Sequence, residues 1–354
     1  MKKAIMVVLA VLFAGISLAS GQIPNAKAVI ELDPVFDSLV SPDAKLEVVK
    51  TGFGFTEGTN WVQKGSTGFL IFSDIPANVI DKMTPEGQVS VYLDHSGYDG
   101  QIDGYKLLTI GGVSNNAKDT NDPLYREFVM LGSDGLTLDP QGRVVVANYA
   151  GRNIYRVKKN GKHTMLAERY QGKRLGGPND VVVKKDGAIY FTDTFGGLRH
   201  GDKDPWKELD SQGIYMIKDG KLTLVISDIK TPNGLAFSPD EKYLYANGSA
   251  ANFIRRYEVQ ADDTVTNGQL LIDLTADKAP GITDGMRVDA KGNIFSSGPG
   301  GIWVISPDGK HLGTILVPER VANLTFGDAD YKTIYIAART TIYKIRANVT
   351  GSHF

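Results

Sequence analysis

The 354-residue sequence predicts an all-β fold, a six-bladed β-propeller closed around a central metal site. Two observations carry this. Short β-branched and aromatic runs alternate with turn signals from Gly52 onward, and no apolar 3.6-residue periodicity of helical length interrupts them. In addition, an oxygen-bearing side chain stands six times at the head of an apolar strand: Glu57, Asp134, Asn179, Asn233, Asp284 and Asn323. Their spacings are 77, 45, 54, 51 and 39 residues, and strand-rich periods near 40 to 50 are what radial β arrays show. The innermost strand of a blade lines the central channel, so a polar side chain repeated at its head brings six oxygens toward one axis. Such a convergence suits a cation.

Residues 1–21 read as a secretory signal peptide: Lys2 and Lys3, an unbroken apolar run from Ala4 to Phe13, then Ser17, Ala19, Ser20 and Gly21, with cleavage after Ala19 or Gly21. The apolar run is too short to span a bilayer. The expectation is therefore an exported protein, periplasmic or secreted, with no membrane attachment once the signal is removed. There is no cysteine, which excludes a disulfide framework, a thiol nucleophile and a lipidated cysteine. A formal net charge of −1 gives no reason to expect nucleic acid or an anionic surface as partner. A small-molecule substrate is the expected partner; oligomeric state is not legible.

Residues 22–50 read as an N-terminal arm that packs on the first or last blade, and 51–348 as the propeller. Turns are expected at Glu86-Gly87, Gln141-Gly142, Asn160-Gly161, Asp186-Gly187, Asp219-Gly220, Lys291-Gly292 and Asp308-Gly309. Between them lie strands such as Phe69 to Phe72, Val144 to Val146, Ile189 to Thr192 and Ile334 to Ile336. The stretch 96–131 breaks the rhythm as a loop insertion and a candidate flap over the channel mouth. A shorter excursion, Phe195 to Asp210, carries His200 and Trp206 and is a candidate part of the rim.

Repeated Asn-Gly and Asp-Gly at strand heads could be turn chemistry alone. Glu57 argues otherwise, because glutamate is a poor turn residue and its longer reach at the same phase suits a ligand. Carboxylates mixed with neutral amide oxygens favour Ca²⁺, with Mg²⁺, Mn²⁺ and Zn²⁺ as alternatives. The five histidines share no repeat position and form no HExxH pair, which argues against zinc. GxSxG, GxGxxG and GxxxxGK motifs are absent.

The motifs Phe55-Thr56-Glu57-Gly58, Phe72-Ser73-Asp74, Gly135-Leu136-Thr137-Leu138-Asp139-Pro140, Pro178-Asn179-Asp180-Val181, Tyr190-Phe191-Thr192-Asp193, Pro232-Asn233-Gly234-Leu235, Asp284-Gly285-Met286 and Gly298-Pro299-Gly300-Gly301 closely resemble the SMP-30/gluconolactonase/luciferin-regenerating-enzyme family, from about Leu32 to Arg346. The resemblance implies one catalytic divalent cation, usually calcium, and hydrolysis of sugar lactones or related esters. It implies Glu57, Asn233 and Asp284 as core metal ligands, with Asn179 ligating or bordering the metal beside substrate. Some positions depart from the family's pattern: Thr59, Asp134, Gly176-Gly177 and Tyr149 replace residues common in gluconolactonase-like members, and Gly177 stands where animal enzymes carry a substrate arginine. For lactone hydrolysis, Asp284 is the first candidate general base, with Asp134 and Asp180 as rivals. Asn179, Arg174, Tyr149, His200 and Trp206 are the candidate substrate contacts. The alternatives are promiscuous ester or phosphotriester cleavage, metal-assisted proton abstraction, and a non-catalytic propeller that binds a glycan or protein.

Overall fold

A computed structural model describes residues 21–22, 28–100, 110–113 and 126–352. Residues 1–20, the body of the expected signal peptide, lie outside that set, as do 101–109 and 114–125 of the insertion. What is described of the insertion is Ser96 to Gly100, a hairpin pairing Ile110–Val113 with Arg126–Val129, and the return through Met130 and Leu131. The flap reading therefore falls largely outside the described residues.

Among the described residues the strands form six antiparallel blades. Their innermost strands are Thr56–Lys64, Leu136–Leu138, Pro178–Val183, Pro232–Phe237, Met286–Val288 and Val321–Gly327. We number the blades 1 to 6 in that order. Blade 6 closes the ring: Glu47–Thr51 pairs antiparallel with Thr341–Arg346 and supplies the outer strand that the C-terminal segment lacks. Val29–Glu31 adds a fifth strand to blade 5. The N-terminal arm thus contributes strands to blades 5 and 6, and the chain beyond 348 continues to Gly351, which bridges Asp289.

Side chains alternate faces along a strand, and in a propeller both faces are buried. The run Phe69 to Phe72 shows the result. Phe69 and Ile71 pack between blades 1 and 2 with Leu136, Val146 and Tyr155, whereas Leu70 and Phe72 pack between blades 6 and 1 with Val49, Trp61 and Tyr335. Apolar clusters also fill the interfaces between blades 2 and 3, 3 and 4, 4 and 5, and 5 and 6. Continuous rather than alternating hydrophobicity in the second strands is the consequence. The expected turn glycines 87, 142, 161, 187, 220, 292 and 309 all have positive φ.

Val49 sits on the closing strand and is 6% exposed among Trp61, Phe72 and Tyr335. Val49→Asp would place an unpaired carboxylate in that interface. We expect a loss of roughly 3 kcal/mol or more, read as a lower urea midpoint with the far-UV signal retained before the transition.

Candidate active site

The six strand-head residues meet at one end of the channel because the inner strands enter the sheet irregularly there. Pairing of the inner with the second strand shifts register between Glu57 and Asn60, Pro178 and Val181, Pro232 and Leu235, and Val321 and Asn323. Such bulges re-aim the side chains around them. The segments leading into the heads are pinned by the last polar residue of the second strand. Asp74 accepts from the amides of Gly54 and Phe55, Asp193 from Gly176 and Gly177 at 2.8 Å each, and Asn247 from Gly234 at 3.0 Å. In blade 5 the Asp284 amide donates to Ser297 Oγ at 2.6 Å. Neighbouring blades then come very close: a Cβ at Gly234 would lie 2.1 Å from the Asp284 carbonyl oxygen. The glycine after the head residue is required there by contact, not by turn geometry.

Around the axis the heads form three acid–amide pairs across neighbouring blades. Asn323 Nδ2 donates to Glu57 Oε2 at 3.1 Å between blades 6 and 1. Asn179 Nδ2 donates to Asp134 Oδ2 at 2.8 Å between blades 2 and 3. Asn233 hydrogen-bonds Asp284 between blades 4 and 5. The amide oxygens differ in what they have left to do. Asn323 Oδ1 already accepts from Thr59 Oγ1 and the Leu324 amide, whereas Asn179 engages its neighbour through Nδ2 and keeps Oδ1 for a ligand.

The three carboxylates are buried and share one electrostatic field. Burial first, then repulsion by Asp284, pushes the Glu57 carboxyl well above its ordinary range. Burial, with Glu57 and Asp284, does the same to Asp134. Burial also raises Asp284, to about 6, against the opposing charge of Arg320, whose Nη2 lies 3.1 Å from Asp284 Oδ2. Among the described residues no three His, Asp or Glu side chains form a metal cage by themselves. The donor set is instead mixed, and it fits a hard divalent cation: mutually repelling carboxylates interleaved with neutral amide oxygens are what such an ion takes.

The other sequence candidates occupy varied positions. Asp180 is a brace, with Oδ1 accepting from Val181 N and Oδ2 from Leu235 N on blade 4, both at 2.9 Å. Tyr149 is buried beside the ring, near Asp134 and Asp284, and hydrogen-bonds Thr194; burial keeps its phenol protonated. Arg174 is half-buried, its Nη2 on the Gly151 carbonyl at 3.1 Å and its amide on Glu208. It lines a cavity of about 750 Å³ flanking blades 1 and 2. His200 and Trp206 lie exposed on the 195–210 loop, where the backbone amides of both are held by Asp204. Gly177 faces Gly197 so closely that a Cβ would meet its Cα at 2.4 Å, so no arginine fits at that position.

Sequence reading did not single out Arg320 or Arg287. Arg320 precedes the inner strand of blade 6 and fixes Asp284. Arg287 lies three residues beyond Asp284 and faces Asp180 and Glu57 from below. A charged residue inside an inner strand that is otherwise apolar or hydroxylic was the available signal.

The metal-free site makes a pH prediction. Between about pH 4, where an unfolded aspartate titrates, and about 6, folded Asp284 holds a proton that the unfolded chain has lost. Its contribution is therefore fully present below pH 4 and is lost as pH rises through 6. Asp134→Asn removes one of the repelling charges. In chelated protein we expect Asp134→Asn to raise Tm over the parent chain at pH 7.5 and to raise it less at pH 5, measured by thermal melts in EDTA.

Comparison with known proteins gives the same architecture. Residues 55–340 match the family described as SMP-30/Gluconolactonase/LRE-like region. A gluconolactonase of Zymomonas mobilis is 32% identical over 333 residues, covering 91% of this chain and 87% of that one. The structure of a gluconolactonase from Xanthomonas campestris superposes with a TM-score of 0.74 at 26% identity, covering 93% and 97% of the two chains. A calcium-binding protein, regucalcin, from Agrobacterium tumefaciens shares the fold at 19% identity and a TM-score of 0.61, covering 87% and 97%. The chain belongs to the SMP-30/gluconolactonase family.

Proposed function

We propose that the protein is an exported, divalent-cation-dependent hydrolase that opens sugar lactones of the gluconolactone type to hydroxy acids. The observation that carries the reading is the ring of three acid–amide pairs at the channel end, in a chain related over most of its length to a gluconolactonase. Glu57, Asn179, Asn233 and Asp284 would hold the cation, for which Ca²⁺ is our assignment. The chemistry such an ion supplies when bound is polarisation of the lactone carbonyl and stabilisation of the oxyanion.

The chain's own residues do the rest. Asp134 is our assignment for the general base: it is buried in the ring, is not among the residues assigned to the cation, and its Oδ2 already orients Asn179. It takes a proton from the attacking water as the new C–O bond forms. It then returns that proton to the ring oxygen as the lactone C–O bond breaks, leaving a hydroxyl and a carboxylic acid that ionises. Asp180 is reserved for holding blades 3 and 4 together. Arg320 keeps one oxygen of Asp284 turned aside, and Tyr149 walls the site with a neutral phenol that can donate to a substrate oxygen. Export rests on Lys2, Lys3 and the apolar run to Phe13; N-terminal sequencing of protein recovered outside the cytoplasm should begin after Ala19 or Gly21.

The test is chelation followed by reconstitution with Ca²⁺, Mg²⁺, Mn²⁺ or Zn²⁺, and kcat/KM on gluconolactone, an aryl ester and a phosphotriester. Lactone turnover restored best by Ca²⁺ is expected. No lactone turnover with any ion would sink the proposal, and a higher kcat/KM on the ester or phosphotriester would reassign the substrate. Asp134→Asn should lower kcat about 10²- to 10⁴-fold with calorimetric Ca²⁺ binding retained, while Glu57→Gln should weaken that binding itself.

A further inference from the structure

The face opposite the carboxylate ring carries its own concavity, of about 440 Å³, within the range of small-molecule sites. Its inner end is made by the tails of inner strands, at Asn60, Leu138, Val183, Arg287 and Thr325. From Asn179 at the head of blade 3 to Val183 at its tail is four residues, roughly 13 Å at the rise of a strand. The two sites therefore sit at opposite ends of one channel.

Arg287 is the only cationic side chain at the inner end. Nη1 donates to the Met286 carbonyl at 2.8 Å and Nη2 to the Thr59 carbonyl at 2.9 Å, which fixes the plane of the guanidinium. Two of its five N–H donors are thereby used, and the side chain lines the cavity. Lys185 stands exposed at the rim, its Nζ donating to the Pro239 carbonyl at 3.3 Å. Lys184 is already held by Asp263 and Asp186, and the one acid on the wall, Asp139, is neutralised by Arg143 and Arg156. Arg287 brings its charge to the inner end, where it also faces Asp180 and Glu57. The remaining wall is largely apolar: Trp61, Leu138, Pro140, Val183, Phe326 and Tyr331.

We propose that this cavity is a second binding site, for a small organic carboxylate whose charged end meets Arg287 and whose apolar body lies against Trp61, Phe326 and Tyr331. A single planar guanidinium at a blind end matches a carboxylate by paired N–H···O bonds. Apolar walls disfavour a compact, strongly hydrated inorganic anion, which would lose its water without replacement. The test reads binding of a probe and needs no lactone turnover, so it stands apart from the proposed function although Arg287 also faces Asp180 and Glu57.

Benzoate is the probe, with benzamide as its neutral counterpart, titrated calorimetrically and by tryptophan fluorescence, since Trp61 forms part of the wall. One benzoate is expected per chain, with benzamide at least tenfold weaker. Arg287→Met should weaken benzoate at least tenfold and Lys185→Glu severalfold. Lys185 is exposed, so Lys185→Glu carries the test if Arg287→Met does not fold. The proposal is overturned by unchanged affinity in Lys185→Glu and in folded Arg287→Met, by equal binding of benzamide, by tighter binding of inorganic phosphate, or by no benzoate binding at millimolar concentration.

Discussion

Carboxylate repulsion on the channel axis is the constraint on which the rest of this molecule turns. Glu57, Asp134 and Asp284 come from three different blades and are buried within one another's field. A ring of identical acids would split the blades apart, and a ring of amides would hold no cation. Pairing resolves this, because each acid is bonded to the amide of an adjacent blade, so that the contacts restraining the charges also tie together blades 6 and 1, 2 and 3, and 4 and 5. Between the tied pairs other contacts serve. Ser73 Oγ donates to the Asp134 carbonyl between blades 1 and 2, the Leu235 amide to Asp180 between blades 3 and 4, and the Gly285 amide to the Ala322 carbonyl between blades 5 and 6. The buried, mutually repelling carboxylates cost stability, as expected of sites kept for function rather than stability.

Much of this was legible because propeller geometry converts sequence period into spatial convergence. The head residues, the turn glycines and the doubly buried strands follow from period and residue type. The pairing was not legible, since it depends on which rotamer of Asn323 or Asn179 faces which neighbour. Asp180 illustrates the limit. Its place beside Asn179 made it a candidate base, but a strand bulge turns both its oxygens onto backbone amides. The polar residues closing the second strands, Asp74, Asp193 and Asn247, carry one pattern in the sequence with several possible meanings, and the fold gives it a single one: they clamp the segments that feed the heads. Arg287 and Arg320 were missed for a different reason. Neither recurs from blade to blade, and a reading built on repeats finds only what repeats.

Those two arginines also explain how so many acids share the channel. Arg320 faces Asp284 from the mouth, and Arg287 faces Asp180 and Glu57 from below. Two guanidinium charges offset part of the charge of Glu57, Asp134, Asp180 and Asp284, and a divalent cation held as proposed would offset the rest. Arg287 therefore has a structural duty as counter-charge in addition to whatever its outward donors bind. An arginine suits both roles better than lysine would, because its planar fork can be fixed by two carbonyls and still present donors in another direction.

Selectivity must then come from outside the ring. The ring is rigid, bonded blade to blade, and chemically suited to a carbonyl oxygen of any lactone. What distinguishes substrates is the mouth, where this chain departs from its relatives' pattern. Gly177 and Gly197 meet backbone to backbone and leave no room for a side chain, which removes a charged contact from one side. Tyr149 supplies a neutral donor close by, and Arg174 is already held to the Gly151 carbonyl. A mouth built this way offers hydroxyl recognition rather than an unpaired cation beside the ring. Against a substrate bearing an acidic group the three buried carboxylates of the ring act as a repulsive element that an uncharged polyhydroxylated lactone does not meet.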